Sequence, residues 1–245
     1  MQKFLPTILT PPLLPILLAQ GYWTRKRTPR LPDAGGPPEG SVDSDPGSAA
    51  APLRLITFGE STVAGIGAAT HETALTGQLA RALTQPTGRS ISWLAVARSG
   101  ITARESLSEL VPRLAGKRAD VVVIALGVND SIAFHTAWRW ASDLERLIES
   151  VRREVGDALV LLAGVPPLQN FPVLPQPLSF VLGGRSTSLD QASARLAKTM
   201  ERVIHVPFVM EKDRRLFCSD GFHPSELGYT LWAEQLVEGF AEAKK

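Results

Sequence analysis

Five short runs of apolar residues recur across residues 53–206 and constrain the fold more than any other feature. They are Leu53–Phe58, Ile91–Val96, Asp120–Leu126 with its Val121, Val122, Val123 and Ile124, Ala158–Ala163 and Val203–Val206. A strand wetted on one face alternates polar and apolar side chains. A run that is apolar at nearly every position must be covered on both faces. Between the runs the apolar residues take helical spacing: Leu75, Leu79, Ala82 and Leu83, then Thr102–Val111, then Trp140, Leu144, Leu147, Ile148 and Val151. Ser188–Met200 follows, and Tyr229, Trp232, Ala233, Leu236 and Phe240 form a closing helix with a broad apolar face. Strands joined through helices require right-handed crossovers. The pattern therefore predicts an α/β fold, a three-layer α/β/α sandwich around a five-stranded parallel sheet. A chain of 245 residues holds one such domain and an extension.

The extension is N-terminal. Ten of the 19 prolines lie at or before Pro52, which divides the chain into an apolar segment (1–24), a Pro/Gly-rich linker (25–52) and the globular domain (53–245). Residues Phe4 to Trp23 carry no charge and have the length of a membrane span, but Pro6, Pro11, Pro12 and Pro15 are expected to break a regular helix there. Three readings compete. One is a signal peptide with Lys3 at its charged start and Ala19-Gln20-Gly21 as the cleavage site, which makes the protein an exported one. The second is a retained anchor, and the third a segment lying on the bilayer. The basic residues Arg25, Lys26, Arg27 and Arg30 disfavour export and, behind an anchor, place the domain on the cytoplasmic side of the membrane. No catalytic motif precedes Leu53, so a chain beginning near Ala51 is expected to keep its turnover.

Composition removes several classes of function. A formal net charge of +2 leaves no nucleic-acid footprint. A single cysteine, Cys218, excludes a disulfide framework and a thiolate zinc site, and four scattered histidines argue against a metal centre. Gly65-Ile66-Gly67 is too little of a glycine-rich phosphate loop for a dinucleotide fold, and no cofactor is implied.

In a parallel sheet, function sits beyond the C-terminal ends of the strands. Four polar clusters fall there: Gly59-Glu60-Ser61-Thr62, Arg98-Ser99-Gly100, Gly127-Val128-Asn129-Asp130 and, before the last helix, Asp220-Gly221-Phe222-His223-Pro224. Together they bring a serine, a histidine, an asparagine and carboxylates to one sheet edge, as acyl transfer requires. A serine needs a base to take its proton. A neutral imidazole backed by a carboxylate is such a base. The oxyanion needs preset donors, which the backbone N–H groups of Ser61 and Gly100 and the Asn129 amide could supply.

These blocks resemble the SGNH hydrolases, also called GDSL-like esterases and lipases, a flavodoxin-like α/β family named for the serine, glycine, asparagine and histidine that here are Ser61, Gly100, Asn129 and His223. The resemblance spans Leu55 to Trp232. It implies that Ser61 is the nucleophile, His223 the base and Asp220 its orienting carboxylate, with Ser61, Gly100 and Asn129 forming the oxyanion hole. One departure stands in the first block, where Glu60 replaces the usual aspartate. Val63 excludes the glycine-flanked elbow of α/β-hydrolases.

Each block has a plainer use. Ser61 could cap a helix, Asn129-Asp130 could form a turn, and Asp220 could start a helix. His71, expected to be exposed, His135, close to the Asn129 block, and His205, in an apolar strand, are rival bases. The loop Val165–Gly184 carries Leu168, Phe171, Leu178 and Val181 among its prolines. It reads either as a satellite core or as a wall of the acyl pocket. It favours a lipid-like or aliphatic acyl ester over a carbohydrate acetate. A third possibility is an inactive interaction module that keeps the fold. Expected partners are thus a small-molecule or lipid ester and a membrane surface.

Overall fold

The computed structural model describes residues 5–44 and 50–242, so Lys3, expected to open a signal peptide, and residues 45–49 of the linker lie outside the described residues. The helices are α1 (Leu5–Arg27), α2 (Leu75–Thr87), α3 (Ala103–Glu109), α4 (Val128–Ile132), α5 (Ala137–Val155), α6 (Leu178–Ala197) and α7 (Glu226–Glu242). The strands are β1 (Glu39–Val42), β2 (Leu53–Gly59), β3 (Ile91–Ala97), β4 (Val121–Ala125), β5 (Leu159–Ala163) and β6 (Val203–Val206).

The sheet has the order β1-β3-β2-β4-β5-β6. Strands β2 to β6 pair in parallel, the five predicted, and β1 adds an antiparallel sixth strand beside β3. Five parallel strands are therefore a correct reading of the centre and an undercount of the sheet. The sixth escapes notice because Glu39-Gly40-Ser41-Val42 has no apolar run; it is held by backbone pairing at an edge. Gly40 lies flat against the Trp93 indole, where a Cβ would clash with the ring. Deleting residues 1–50 uncovers that indole and the β3 edge. Against the expectation from sequence, such a chain should unfold at lower urea concentration and lose turnover relative to one beginning at Thr28. Equal urea midpoints would show that the strand adds nothing.

One face of the sheet packs Leu55, Val121 and Val123 against Leu75, Leu79, Leu83, Tyr229, Leu236 and Phe240 of α2 and α7. The other packs Ile56, Phe58 and Val122 against Leu144, Leu147, Ile148 and Val151 of α5. Helix α3 begins at a capping box in which Thr102 accepts from the Glu105 N–H and the Glu105 carboxylate accepts from the Thr102 N–H. The Thr136 hydroxyl accepts from the Arg139 N–H at the start of α5.

Two expectations need correction. The prolines of the N-terminal segment do not break α1. Pro6 falls in the first turn, where its N–H would have no partner. The C-terminal half is held by tertiary contacts: Leu17 is buried in the core, and Gln20 donates to the Gln176 carbonyl at 2.6 Å and accepts from the Leu178 N–H at 3.1 Å. No helix among the described residues is long and apolar enough to cross a membrane. The segment 165–184 is loop only in its first half, for α6 starts at Leu178. Val181 and Leu182 bury one side of it, a helical spacing hidden behind the preceding prolines.

Candidate active site

The active-site edge is built by β2, β3 and β4 where the strand order reverses around β2. Gly59 ends β2 so close to β4 that a Cβ would overlap the Ala125 carbonyl. The chain then turns through residues 60–70, with the Val63 and Ala64 N–H groups donating to the Glu60 carbonyl. No α-helix starts until Leu75, so Ser61 does not cap one. The loop meets the Asp220–Pro224 segment at Gly67, whose φ of 99° and lack of Cβ let it lie against the Pro224 carbonyl. Buried Tyr229 donates to the Ile66 carbonyl at 2.7 Å and fixes the loop from below.

His223 Nε2 lies 3.0 Å from Ser61 Oγ, and His223 Nδ1 lies 2.6 Å from Asp220 Oδ2. The other Asp220 oxygen accepts from the Phe222 and His223 N–H groups at 2.8 and 2.9 Å and from the Cys218 thiol at 3.0 Å. Burial alone would raise the Asp220 carboxyl. The hydrogen bonds from His223, Cys218 and the Phe222 and His223 backbone outweigh it and hold Asp220 well below the usual carboxylate range. It is therefore a fixed anion behind the imidazole. Burial pushes the Cys218 thiol up to about 11, so it stays protonated and donates. Arg214 donates to the carbonyls of Phe217, Cys218 and Ser219 and braces the loop.

Gly100 sits at φ 82° in the turn after β3. Asn129 opens α4, and its side chain faces Glu60. Glu60, with 2% of its surface exposed, accepts from the Val128 N–H at 3.1 Å, the Asn129 N–H at 3.2 Å and the Asn129 amide. The second Asn129 amide proton goes to the Ile101 carbonyl at 3.1 Å. Both protons are thus engaged, and the amide must exchange one of these acceptors to hold an oxyanion. The residue that departs from the family pattern is therefore the one that ties the Ser61 loop to the Asn129 loop.

Burial pushes the Glu60 carboxyl up to about 8, against the pull of the Val128 and Asn129 donors. Its proton is held more tightly in the folded chain than in the unfolded one. Between the ordinary carboxylate range and about pH 8, stability should fall as pH rises. Glu60→Gln should flatten this slope while costing about 1–3 kcal/mol, because one acceptor becomes a donor facing donors. Urea midpoints at several pH values check both effects. An unchanged slope removes Glu60 as its source.

The rival histidines are committed elsewhere. His135 pairs with buried Asp130 and His205 with Asp190, each at 2.7 Å. His71, expected to be exposed, is half-buried. Trp140 is a core residue whose Nε1 donates to Ser193, and Trp138 is exposed. Below Ser61 and His223 lies a narrow apolar pocket walled by Pro166, Phe171, Phe208, Met210, Phe222 and Trp232. Its free volume is about 10 Å³, space for one water. Phe171 stands edge-on to Phe217 and Phe222, and with Leu168 and Val181 it joins the main core, so the segment after Val165 is a pocket wall built on that core rather than a satellite.

Sequence reasoning missed the thiol donor Cys218, the brace Arg214 and the tie through Asp33, whose Oδ1 accepts from Ser99 Oγ at 2.8 Å. None belongs to a motif, and each acts through a contact that only the folded chain creates.

The model of the GDSL-like Lipase/Acylhydrolase family matches residues 57–231. A GDSL-like esterase of Mycobacterium tuberculosis (strain ATCC 25618 / H37Rv) is 28% identical over 199 residues. The match covers 78% of this chain and 62% of that protein, so the chain spans less than two thirds of its relative's length. The crystal structure of TesA superposes with a TM-score of 0.63 at 22% identity, covering 78% of this chain and 99% of that one. A Clostridium thermocellum family 3 carbohydrate esterase superposes with a TM-score of 0.60 at 20% identity, covering 78% and 96%. These two share the fold.

Proposed function

Because this chain belongs to the GDSL-like lipase/acylhydrolase family, we propose that it hydrolyses carboxylic esters with Ser61 as nucleophile, His223 as base and Asp220 as the carboxylate behind it. The observation that carries this reading is the line Asp220–His223–Ser61, with contacts of 2.6 and 3.0 Å. His223 Nε2 takes the Ser61 proton as Oγ bonds to the ester carbonyl carbon. The tetrahedral oxyanion falls to donors from Ser61, Gly100 and, once rotated, Asn129. The C–O bond to the alcohol then breaks, and the imidazolium returns its proton to the leaving oxygen. Water repeats the sequence on the acyl-enzyme and releases the acid. Asp220 stays ionised throughout and stabilises the imidazolium.

The apolar walls of the pocket favour an aliphatic acyl group. Its small free volume supports a second reading, an esterase for short acyl groups such as acetate, in which nothing longer fits unless Phe171, Phe222 or Met210 turns. Hydrolysis of a p-nitrophenyl ester series by the full chain separates the two. A maximum at medium chain length supports the lipid-like substrate. A maximum at acetate assigns the short one.

We also propose that α1 lies on an anionic membrane surface rather than through it. Leu14, Ile16, Leu18, Tyr22 and Trp23 are exposed on this helix, Arg25, Lys26 and Arg27 follow directly, and the first acidic residue of the chain is Asp33. The exposed apolar side chains supply contact with acyl chains, and the aromatic pair and the cations after it supply contact with headgroups. The anionic leaflet that such a cationic end favours is the cytoplasmic one. Phe180 of α6, a helix in contact with α1, is a further exposed aromatic residue. Full-length protein should sediment with phosphatidylglycerol-containing vesicles, and Leu18→Glu should leave it in the supernatant. Sedimentation unaffected by Leu18→Glu counts against this face.

A further inference from the structure

We infer that residues 33–42, read from sequence as linker, form a strap that holds the Ser61 loop and the Gly100 turn in register, with Asp33 as a positioning residue for that turn. The strap runs over the same sheet edge as the candidate site. The Ala34 N–H donates to the Ala64 carbonyl at 2.9 Å and the Gly35 N–H to the Ala69 carbonyl at 3.0 Å. The His71 N–H returns a bond to the Gly35 carbonyl at 3.1 Å. Ala34 is buried against Gly65, whose Cβ, if present, would lie 2.6 Å from that of Ala34. These contacts join the strap to the loop that begins at Ser61. On its other side the Ala95 N–H donates to the Pro38 carbonyl at 2.7 Å, β1 pairs along β3, and Asp33 accepts a hydrogen bond from the Ser99 hydroxyl.

The Gly100 turn needs such a tie. Gly100 is exposed, takes φ 82°, and has no atom within 4 Å of where a Cβ would stand. It is therefore not packed from that side. An oxyanion donor works only when held within about 0.5 Å of its place. Ser99, next in the chain to Gly100, is the side chain that links this turn to the strap. The inference rests on the ester-hydrolase reading, since the Gly100 amide matters only if it faces an oxyanion.

Four variants of the full chain test it on a soluble p-nitrophenyl ester. Asp33→Ala should lower kcat about threefold to tenfold, the worth of one ordinary solvent-exposed hydrogen bond, with KM unchanged. Asp33→Asn keeps an acceptor oxygen and should restore most of the rate. Ser99→Ala should match Asp33→Ala, and the double variant should be no slower than either single one, because both remove the same bond. A wild-type kcat in Asp33→Ala, or losses that multiply in the double variant, overturns the positioning role. A fall in KM-limited rate alone, with kcat intact, also overturns it. Fluorophosphonate labelling keeps the two readings apart. A wild-type chain that neither hydrolyses esters nor takes the probe at Ser61 overturns the hydrolase reading, whereas a labelled, active wild type with indifferent Asp33 variants overturns only the strap.

Discussion

Ser61→Ala is expected to abolish ester hydrolysis while leaving the fold intact. The hydroxyl removed contacts His223 Nε2 at 3.0 Å, at the rim of the pocket. Its loss leaves no buried group stranded in the core, so the urea midpoint should stay close to the wild-type value. The chemistry, by contrast, loses the atom that carries the acyl group. Knocking out a triad nucleophile costs on the order of 10⁶ in kcat and leaves only what binding and the oxyanion donors contribute. Steady-state rates of the purified variant check this, together with loss of fluorophosphonate labelling. Retention of a tenth of wild-type activity would move the nucleophile to another hydroxyl. Ser99 is tied to Asp33 and Ser131 is buried and donates to the Gly127 carbonyl, so neither is prepared for the task.

The second large effect is expected from Asp220→Asn. The carboxylate holds His223 Nδ1 at 2.6 Å, which requires that nitrogen to carry the proton and leaves Nε2 free to accept one from Ser61. An amide has one acceptor oxygen where the carboxylate has two. If that oxygen stays with the Phe222 and His223 N–H groups, the NH₂ faces Nδ1 and forces the wrong tautomer. The expected fall is about 10⁴ in kcat with little change in KM, the size seen when a triad carboxylate becomes an amide. The same substitution removes a strongly depressed carboxylate from the acid limb. The native Asp220 adds stability above the ordinary carboxylate range and loses it as pH falls towards its own low value. The variant should therefore be less sensitive to mild acid. A fall in kcat below tenfold would show that the imidazole is oriented by other contacts.

Much of this arrangement is legible in the sequence because it is local. Val121, Val122, Val123 and Ile124 can be nothing but a strand buried on both faces, and the structure places them at the centre of the sheet. Asp220 and His223 meet because they stand three positions apart in one tight segment. Three of the four polar blocks occur at strand ends, which a parallel sheet gathers on one edge whatever the loop lengths, and the fourth lies just before the last helix. Thus the parallel sheet and the edge on which the polar blocks gather follow from periodicity and chain order, whereas the line from Asp220 to Ser61 is what the family resemblance implies and the strand order comes from the fold.

What the sequence leaves open depends on contacts between segments far apart in the chain. Strand β1 has no apolar signature, since an edge strand earns its place through backbone pairing with β3. Glu60 reads as a change beside the nucleophile that alters how its turn is braced, with no sign of the partners. Only the fold brings its carboxyl to the N–H groups of Val128 and Asn129, 68 and 69 residues away. Pro11, Pro12 and Pro15 argue locally against a helix, and the packing of Leu17 and Gln20 against the core decides otherwise. Sequence by itself determined which residues could do chemistry and on which edge they gather, because side-chain type and strand period are local properties. Tertiary structure decided how they are held, because the hydrogen bonds that hold Asn129 and Ser99 come from partners that only the folded chain brings within 3 Å or so of them.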